Sequence, residues 1–507
     1  MKIDRAHLPE DPALLRQMVG DLLDQLDAKE RKLQRLQHQL EKLLRARYGP
    51  RRERVDENQL FMFAAALVQT NKDIPPKKPK ERAQPQAKGH GRQRLPEHLE
   101  RRRVVYDLAE DQRQCPQCQQ ELRWIGEDVS QRLEYVPASM HVILEAVQKY
   151  ACPKGCTVVA GRKPMQPIEK GLPGPGLLAH VAVNKYGAHL PLHRQEWLFE
   201  REGVRLTRQT MADWMRQGAE LLVPLVALMT QRVLASKGVQ TDDTPVAVLD
   251  PDLPRTRTGR IWTYIGDQEH PYTVYDYTPD HSRAGPDVFL KEFSGFLQAD
   301  AYQGYDAIYA DPKRQVTEVG CWAHSRRYFY EAQTSDLMRS TVMLAYIRLL
   351  YDVEREARDL QLDGAGRLAL RQEKSLPILA DIKSYLKREQ PNVLPKSPEG
   401  QAIAYTLSNW DALERYCTDG DLEIDNNAAE RSLRGVAIGR RNWAFFGSDR
   451  GGRTAAILMS IIATCKRLQI DPFLYLRDIF SRLSAHPVQR LHELLPDAWK
   501  ASRPPPA

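Results

Sequence analysis

Apolar side chains follow a heptad pattern near the start of the chain. Between residues 15 and 43 they occupy two core positions, while Asp, Glu, Lys, Arg and Gln fill the outer positions. Four heptads of this kind predict a coiled coil, so we expect residues 1–48 to form a leucine zipper and the protein to self-associate. Lys29 at one core position favours a dimer. The alternative is an amphipathic helix that packs on its own globular domain.

Helical periodicity returns over residues 164–235. Gly203 separates two helical stretches, 191–202 and 206–222, and Thr207 is a suitable N-cap for the second. Two helices joined in this way resemble a helix-turn-helix, in which four polar residues would face a DNA groove. These residues are Arg205, Arg208, Gln209 and Thr210. Two ordinary packed helices explain the pattern equally well.

From residue 236 the period shortens to about two. The β-branched and aromatic runs there predict five strands, at 239–249, 259–267, 272–277, 296–299 and 316–320. Helical patterns follow at 325–334, 338–362, 378–388, 402–416 and 455–468. This order predicts a multidomain α+β protein. We expect its core at 236–453, with a helical insertion at 335–418 and a short helical C-terminal domain at 454–507.

Composition excludes membrane and secreted classes of protein. The hydrophobic fraction is 42% and the charged fraction 28%, as in soluble globular proteins. The longest apolar run, 455–464, is too short to span a bilayer, and the N-terminal residues lack the pattern of a signal peptide. We therefore expect a cytoplasmic protein with no membrane partner. A length of 507 residues predicts several domains.

Basic charge is concentrated in one segment. The chain has a formal net charge of +8 at pH 7. Residues 72–103 alone carry eleven Lys or Arg against four Asp or Glu, a local balance of +7. Several prolines interrupt the same segment, so residues 49–103 are expected to form a basic linker. It is either an arm that contacts phosphates or a solvated connection.

Four of the seven cysteines form two close pairs. They are Cys115, Cys118, Cys152 and Cys156. Two such pairs are typical of the knuckles of a tetrahedral Cys₄ zinc site, so residues 104–163 are predicted to form a small zinc-binding module. Four thiolates leave no open position on Zn²⁺, and we therefore expect structural zinc in a DNA-binding module. A redox pair is the alternative.

Three acidic residues stand out because of their surroundings. Asp242 lies in the first predicted strand, Asp300 directly follows the fourth, and Glu430 lies on a later helix among arginines. Phosphodiester cleavage with two Mg²⁺ or Mn²⁺ ions needs carboxylates from separate elements, and these three fit that requirement. Each one taken alone is better explained as a surface carboxylate, and only the surroundings of the three favour a metal site.

The arginines near Glu430 are candidates for binding DNA phosphates rather than for reading bases. They are Arg431, Arg434, Arg440 and Arg441. Trp410 or Trp443 would stack on a displaced base, although a place in the hydrophobic core explains either tryptophan as well.

Several motifs together resemble the transposases of the insertion-sequence-66 family, over nearly the whole chain. The motifs are LLRARYGPRRERVD at 43–56, the two cysteine pairs, QTDDTP at 240–245, TGRIWTYIGD at 258–267, QADAYQGYD at 298–306, CWAHSRRYF at 321–329 and DNNAAERSLRGVAIGRRNWAFFGSDRGG at 425–452. The family consists of bacterial DDE transposases, so the resemblance implies an RNase H-like catalytic core.

The resemblance also implies roles for individual residues. It assigns the catalytic triad to Asp242, Asp300 and Glu430. Asp243 stands where related proteins often have Glu, which leaves the first member open between Asp242 and Asp243. A Cys-x-x-His signature, formed here by Cys321 and His324, would place His324 near the scissile phosphate. A buried core histidine is the alternative.

The implied reaction is DNA transposition in two steps. Water first cleaves each transposon end to expose a 3′-OH, which then attacks target DNA. The implied partners are the double-stranded terminal inverted repeats, the target DNA and accessory proteins encoded by the same element, within the bacterial nucleoid. Two other functions remain open from the sequence. They are a nuclease without strand transfer and an inactive DNA-binding repressor.

Overall fold

A computed structural model gives the fold of residues 165–169 and 171–503, together with short pieces at 140, 142–143, 149–151 and 158–160. The chain divides into two compact units, and residues 165–503 belong to the larger one. In the smaller unit, strand β1 (Lys149–Ala151) pairs antiparallel with β2 (Val158–Ala160). The predicted zipper, the linker and all four zinc-ligand cysteines lie outside the described residues.

The larger unit begins with helices α1 (Pro175–Ala182), α2 (Leu192–Arg201) and α3 (Arg208–Leu234). The predicted N-cap of α3 is present, because the Thr207 hydroxyl accepts a hydrogen bond from the backbone N–H of Thr210. The helix extends beyond the predicted end at residue 222 and continues through Pro224. Apolar residues bury one of its faces on both sides of the proline, and this burial outweighs the lost backbone hydrogen bond.

A mixed five-stranded sheet lies at the centre of the larger unit. The strands are β3 (Gly238–Val248), β4 (Arg257–Ile265), β5 (Thr273–Thr278), β6 (Gly295–Gln298) and β7 (Val316–Val319). Their order in the sheet is β5-β4-β3-β6-β7. The first three strands pair antiparallel, whereas β6 joins β3 and β7 joins β6 in parallel. The five predicted strands and the mixed α/β, RNase H-like core are thus confirmed.

Short helices connect these strands, and longer ones follow them. The helices are α4 (Ala284–Phe289), α5 (Asp306–Ala310), α6 (Trp322–Ala332), α7 (Leu337–Asp359), α8 (Gly364–Leu370), α9 (Leu376–Glu389), α10 (Pro398–Ser408), α11 (Trp410–Glu414), α12 (Asn427–Trp443), α13 (Asp449–Arg467), α14 (Pro472–Arg482) and α15 (Pro496–Ala501). Among the residues that the structure describes, none of the helices is long and apolar enough to cross a membrane.

The predicted insertion is helical, α7 to α11, and its hydrophobic cluster also includes Val319 of β7, Trp322 and Phe329 of α6, and Leu422 and Ile424. One prediction inside it is wrong, because residues 402–416 form two helices, α10 and α11, instead of one. The break is at Asn409, whose side chain donates a hydrogen bond to the carbonyl of Tyr405. Asparagine competes in this way with helical hydrogen bonds and favours helix ends.

Helices from both ends of the larger unit share a hydrophobic core with the sheet. This cluster joins side chains of α1 and α3 to strand residues such as Trp262 and to residues of α13 and α14. Helix α13 also covers the exposed edge of β5. The hydroxyls of Ser460 and Thr464 accept hydrogen bonds from the N–H groups of Tyr275 (2.8 Å) and Thr273 (3.0 Å). These contacts satisfy backbone groups that an edge strand would otherwise expose.

A buried ion pair fastens the insertion to the segment that returns to the sheet. Arg371 is 1% exposed and binds both carboxylate oxygens of Glu354, at 2.7 and 2.8 Å. The same guanidinium donates to the carbonyls of Tyr416, Asp419 and Leu422. All five contacts converge on one side chain, so the path of residues 416–422 depends on it.

We predict that Arg371→Leu destabilises the protein by about 3–5 kcal/mol, because it removes two hydrogen bonds to the buried Glu354 carboxylate, and the neighbouring cation Arg367 lies 3.6 Å away. Urea unfolding followed by circular dichroism measures the change. Arg355→Leu is the matched control, since Arg355 is 57% exposed in its ion pair with Asp352 and should cost less than about 1 kcal/mol. Equal losses for the two variants would contradict the prediction.

Candidate active site

Two of the predicted catalytic carboxylates come from neighbouring parallel strands. Gln240 on β3 pairs in register with Gln298 at the end of β6. Asp242 and Asp300 each follow two residues later. Because side chains alternate along a strand, Asp242 lies on the same face of β3 as Gln240. The parallel register therefore brings the two aspartates to the same edge of the sheet.

The two glutamines hold these strands together and also hold the segment that leads to Glu430. Gln240 donates to the side-chain oxygen of Gln298 (2.9 Å) and to the carbonyl of Asp425 (3.1 Å). Gln298 in turn donates to the carbonyls of Glu423 (2.7 Å) and Gly320 (3.1 Å). We call this set of contacts the glutamine bridge. It ties residues 423–425 to the two strands that carry the aspartates.

Further contacts fix the start of α12. The fully buried Asn426 donates through its side chain to the carbonyl of Thr241 (3.3 Å), and its N–H points at the sulfur of Cys321 (3.4 Å). The Asp425 carboxylate accepts a hydrogen bond from the hydroxyl of Tyr351 (2.7 Å) in the insertion. The beginning of α12 is thus attached to β3, to α6 and to the insertion helix α7.

Glu430 occupies the first turn of α12. Its carboxylate oxygens lie 3.7 Å from Nε2 of His324 and 3.6 Å from Nη2 of Arg327, both on α6. Glu430 Oε1 and His324 Nδ1 are buried, and neither has a hydrogen-bond partner among the described residues. A buried carboxylate oxygen without a donor is costly, so this position suits a cation or a bound polar group.

The carboxylates raise one another's proton affinity. Burial, reinforced by the charges of Asp300, Glu430 and Asp243, raises the pKa of Asp242 to about 7, against the hydrogen bond from the N–H of Asp243. Burial also raises the pKa of Asp300, which the charge of His324 opposes. For His324, burial lowers the pKa, while the charges of Glu430 and Asp300 oppose that shift. The four side chains therefore form one electrostatically connected group.

Asp243 occupies a different environment from Asp242. Successive strand residues point to opposite faces of a sheet. The Asp243 carboxylate lies 2.8 Å from Arg260 Nη1 and 3.2 Å from His281 Nε2, both within ion-pair distance. Asp242, by contrast, has no cationic partner among the described residues. Of these two aspartates, Asp242 is therefore the one with an uncompensated charge.

A divalent cation fits the donors of this site. Carboxylate oxygens are the ligands that Mg²⁺ and Mn²⁺ prefer, and a cation would relieve the repulsion that raises the pKa of Asp242. Within residues 165–169 and 171–503, however, no three His, Cys, Asp or Glu side chains converge closely enough to hold one ion as they stand. Joint coordination would therefore require rotation of these side chains.

Comparison with known protein families identifies the family of this chain. A family model described as "Transposase IS66 family" matches residues 170–454, more than half of the chain. The chain belongs to the IS66 family of transposases. The matched segment contains Asp242, Asp300, Glu430 and the whole five-stranded sheet.

Three further family models match other parts of this transposase. "Zinc-finger binding domain of transposase IS66" matches residues 112–155, and "IS66 C-terminal element" matches residues 460–496. A leucine-zipper model described as "Transposase C of IS166 homeodomain" matches residues 35–104, so it overlaps the end of the predicted zipper and the predicted linker. The predicted family is thereby confirmed, with a zipper region and a zinc-finger region, whereas the domain bounds given above stay predictions.

Relatives of similar length occur in Sinorhizobium fredii (strain NBRC 101917 / NGR234). The protein y4hP is 35% identical over 80% of this chain and 76% of its own length. For y4qI the identity is 36%, over 74% and 72% of the two chains. For y4jD it is 29%, over 99% of both. The similarity therefore extends well beyond the catalytic core.

The predicted DNA-binding arginines on α12 of the transposase differ in their surroundings. Arg431, Arg434 and Arg441 are exposed, and their spacing places them along one side of the helix. Arg440 instead donates to the hydroxyl of Thr244 (3.0 Å) and to the carbonyl of Pro245 (2.7 Å) on β3. Its guanidinium therefore fastens the end of α12 to the sheet. Arg208 is exposed at the start of α3.

The two tryptophans proposed to stack on a base are also placed differently. Trp410 is 4% exposed, and it packs edge-on against Trp322 in the insertion core. The core interpretation of Trp410 is therefore correct. Trp443 is partly buried and stacks on Phe446, with ring centroids 4.6 Å apart.

Sequence reasoning overlooked Gln240, Gln298 and Asn426, which position the carboxylates. A signal was present, because the tripeptides QTD at 240–242 and QAD at 298–300 repeat the same Gln-x-Asp spacing. Its meaning depends on the parallel register of β3 and β6, which the sequence does not display. Nothing in the local pattern marked Asn426 as buried.

We predict that Asp242→Asn changes the free energy of unfolding of the metal-free protein differently at the two ends of the pH range. The change should be more favourable at pH 8 than at pH 4 by roughly 2 kcal/mol. The ordinary pKa of Asp242 is 3.8, and the fold raises it to about 7. The unfolded chain therefore ionises first as pH rises, and wild type loses stability between about pH 4 and pH 7. Urea unfolding in a chelator at each pH measures the difference.

Asp243→Asn is the control for this experiment. It removes one half of the ion pair with Arg260 and should destabilise the protein at pH 8. A pH-independent difference between wild type and Asp242→Asn would contradict the assignment of an uncompensated charge to Asp242.

Proposed function

We propose that this transposase cleaves DNA at the ends of its mobile element and joins the exposed 3′-OH to target DNA. The observation that carries the proposal is the electrostatic contact of Asp242 and Asp300, from adjacent parallel strands, with Glu430 from α12. Membership of the family supports the same activity.

Asp242, Asp300 and Glu430 would hold two Mg²⁺ or Mn²⁺ ions. When bound, such ions activate the attacking hydroxyl and stabilise the leaving oxygen in an in-line displacement. We assign the first position to Asp242 rather than Asp243, because Arg260 already forms an ion pair with Asp243 and His281 lies 3.2 Å from the same carboxylate. His324 and Arg327 would keep the Glu430 carboxylate turned towards α6, and Arg327 would contribute positive charge beside the scissile phosphate.

The exposed arginines of α12 would bind the DNA backbone. Arg431, Arg434 and Arg441 lie on the helix that carries Glu430, so phosphates bound there lie close to the carboxylates. Contacts of this kind position DNA without reading its sequence. Arg440 acts differently, since its bonds to Thr244 and Pro245 keep α12 against β3. Arg208 is a further candidate, at the start of the helix-turn-helix candidate.

We also propose roles for two segments outside the described residues. Zinc bound by Cys115, Cys118, Cys152 and Cys156 would fold a module that binds the double-stranded terminal repeats. The zipper at 1–48 would join two copies, so that both ends of the element are held in one complex. Accessory proteins encoded by the same element are proposed as further partners.

We predict that Glu430→Gln lowers cleavage of terminal-repeat DNA at least about a hundredfold, because a metal ligand contributes several kcal/mol to the transition state. Binding of the same DNA should change less than about threefold, since the substitution keeps the shape of the side chain. Gel analysis of labelled DNA with Mg²⁺ measures cleavage and strand transfer, and anisotropy measures binding.

Asp300→Asn should behave like Glu430→Gln, and Glu423→Gln is the matched control in the exposed segment before α12. Strand-transfer product from wild type supports a transposase. Nicking without transfer would indicate a nuclease, and binding without turnover would indicate a repressor. Full cleavage by Glu430→Gln would remove Glu430 from the proposed ligands.

We predict that Cys115→Ser releases zinc and lowers affinity for terminal-repeat DNA about tenfold or more, because the module folds only around its metal. Elemental analysis of the purified protein and anisotropy measure the two effects. Gln117→Ser, between the first two cysteines, is the control and should keep both properties. Wild-type protein that contains no zinc would overturn the prediction.

A further inference from the structure

A cavity of about 530 Å³ lies apart from the carboxylates, between the N-terminal helices and the loop that joins α12 to α13. We call it the aromatic cavity. The residues that matter for its chemistry are Lys185, Tyr186, Trp443, Phe445 and Arg450. None of Asp242, Asp300 and Glu430 lines it, so it is separate from the site described above. Its volume lies in the range of pockets that bind small organic molecules.

Lys185 gives the aromatic cavity an unpaired positive charge. The residue belongs to a π-helical turn, Val183–Gly187, a conformation that is rare and frequent at functional sites. Its ammonium lies 5.4 Å from the ring centroid of Tyr186, and it forms no ion pair with any residue that the structure describes. Burial lowers the pKa of Lys185 to about 8. An anionic ligand would relieve this cost of desolvation.

The remaining charges of the lining also favour an anion. Arg450 is exposed in the first turn of α13, where backbone N–H groups add positive potential. Asp213 is the acidic residue of the lining, and Arg216 already binds it at 2.7 Å. The described lining residues therefore include three cationic side chains, Lys185, Arg216 and Arg450, and one carboxylate, that of Asp213.

Aromatic rings form the opposite wall of the cavity. Trp443 stacks on Phe446, whereas Phe445 is 44% exposed. Trp443 is the last residue of α12, and its ring packs closely against Gly439 one turn earlier. A Cβ atom at Gly439 would lie 2.6 Å from the indole nitrogen. Between the rings, Ala444 has φ 61° and ψ −53°, and Phe445 N–H donates to the carbonyl of Trp443 (2.7 Å). This is a classic γ-turn, a strained conformation that non-glycine residues rarely adopt.

We propose that the aromatic cavity binds one unpaired nucleotide of a DNA strand, with the base against Phe445 and Trp443 and the phosphate beside Lys185 and Arg450. The inference rests on the proposed function, because it takes DNA as the substrate. A planar base suits an exposed aromatic ring, and a phosphate suits the unpaired ammonium of Lys185 and the backbone N–H groups at the start of α13. Sequence preference is not required, since every base has an aromatic face.

The test compares two DNA duplexes that differ by one unpaired terminal nucleotide. Fluorescence anisotropy with the full-length protein, without divalent cations, gives the affinity for each. We expect wild type to bind the duplex with the unpaired nucleotide about tenfold more tightly, as for the gain of one stacked base. Lys185→Gln and Phe445→Ala should each remove most of this preference and leave binding of the blunt duplex unchanged.

Two control variants separate the cavity from general effects. Lys387→Gln removes an exposed lysine from α9, and Leu474→Ala truncates an exposed apolar side chain on α14. Both should retain the preference. A terminal abasic nucleotide should bind wild type as weakly as the blunt duplex. The proposal is overturned if wild type shows no preference, or if Lys185→Gln and Phe445→Ala weaken both duplexes equally.

A competition experiment distinguishes a nucleotide within a DNA strand from a free nucleotide. Free deoxyadenosine monophosphate should compete only at millimolar concentration if the cavity serves the DNA strand. Competition at micromolar concentration, together with no preference between the duplexes, would indicate a free-nucleotide site and would overturn the proposal. Cleavage is not measured in any of these arms. Loss of the proposed transposase activity would therefore leave the binding results interpretable.

Discussion

The candidate active site depends on the parallel pairing of β3 with β6. This pairing places Gln240 beside Gln298 and Asp242 beside Asp300. The side-chain amides of Gln240 and Gln298 hydrogen-bond to each other and to the backbone carbonyls of Glu423 and Asp425. These two residues belong to a segment outside the strands. Three short runs of sequence, separated by as many as 185 positions, meet through these few hydrogen bonds. Buried amides that satisfy backbone carbonyls specify one arrangement, because any other would leave polar groups unpaired.

The same arrangement has an electrostatic cost. Placing Asp242 and Asp300 side by side, with Glu430 close to them, raises the pKa of Asp242 to about 7. A protein optimised only for stability would not bury these charges together without a partner. The insertion compensates by anchoring the returning segment through the Arg371–Glu354 pair and through Tyr351, which binds Asp425. Structural ion pairs surround the site, whereas Asp242 has no cationic partner among the described residues and is available to a cation.

Helix α12 carries residues of three proposed sites. Its first turn carries Glu430, its exposed side carries Arg431, Arg434 and Arg441, and its last turns support the wall of the aromatic cavity through Gly439. These roles need different side chains but one rigid orientation. Arg440 supplies part of that rigidity through its bonds to β3. A displacement of α12 would therefore alter the carboxylates, the arginine face and the cavity together.

The sequence by itself determined the five strands, most helices, the candidate carboxylates and the family, because periodicity, turn residues and motifs are local properties of the chain. It did not determine the different surroundings of Asp242 and Asp243, the contacts of Arg440 with β3 or the break at Asn409. Nor did it indicate the partners of Gln240 and Gln298 or the aromatic cavity. Only the tertiary structure decided these features. Each depends on which side chains from distant segments share one desolvated space, and no local pattern encodes that proximity.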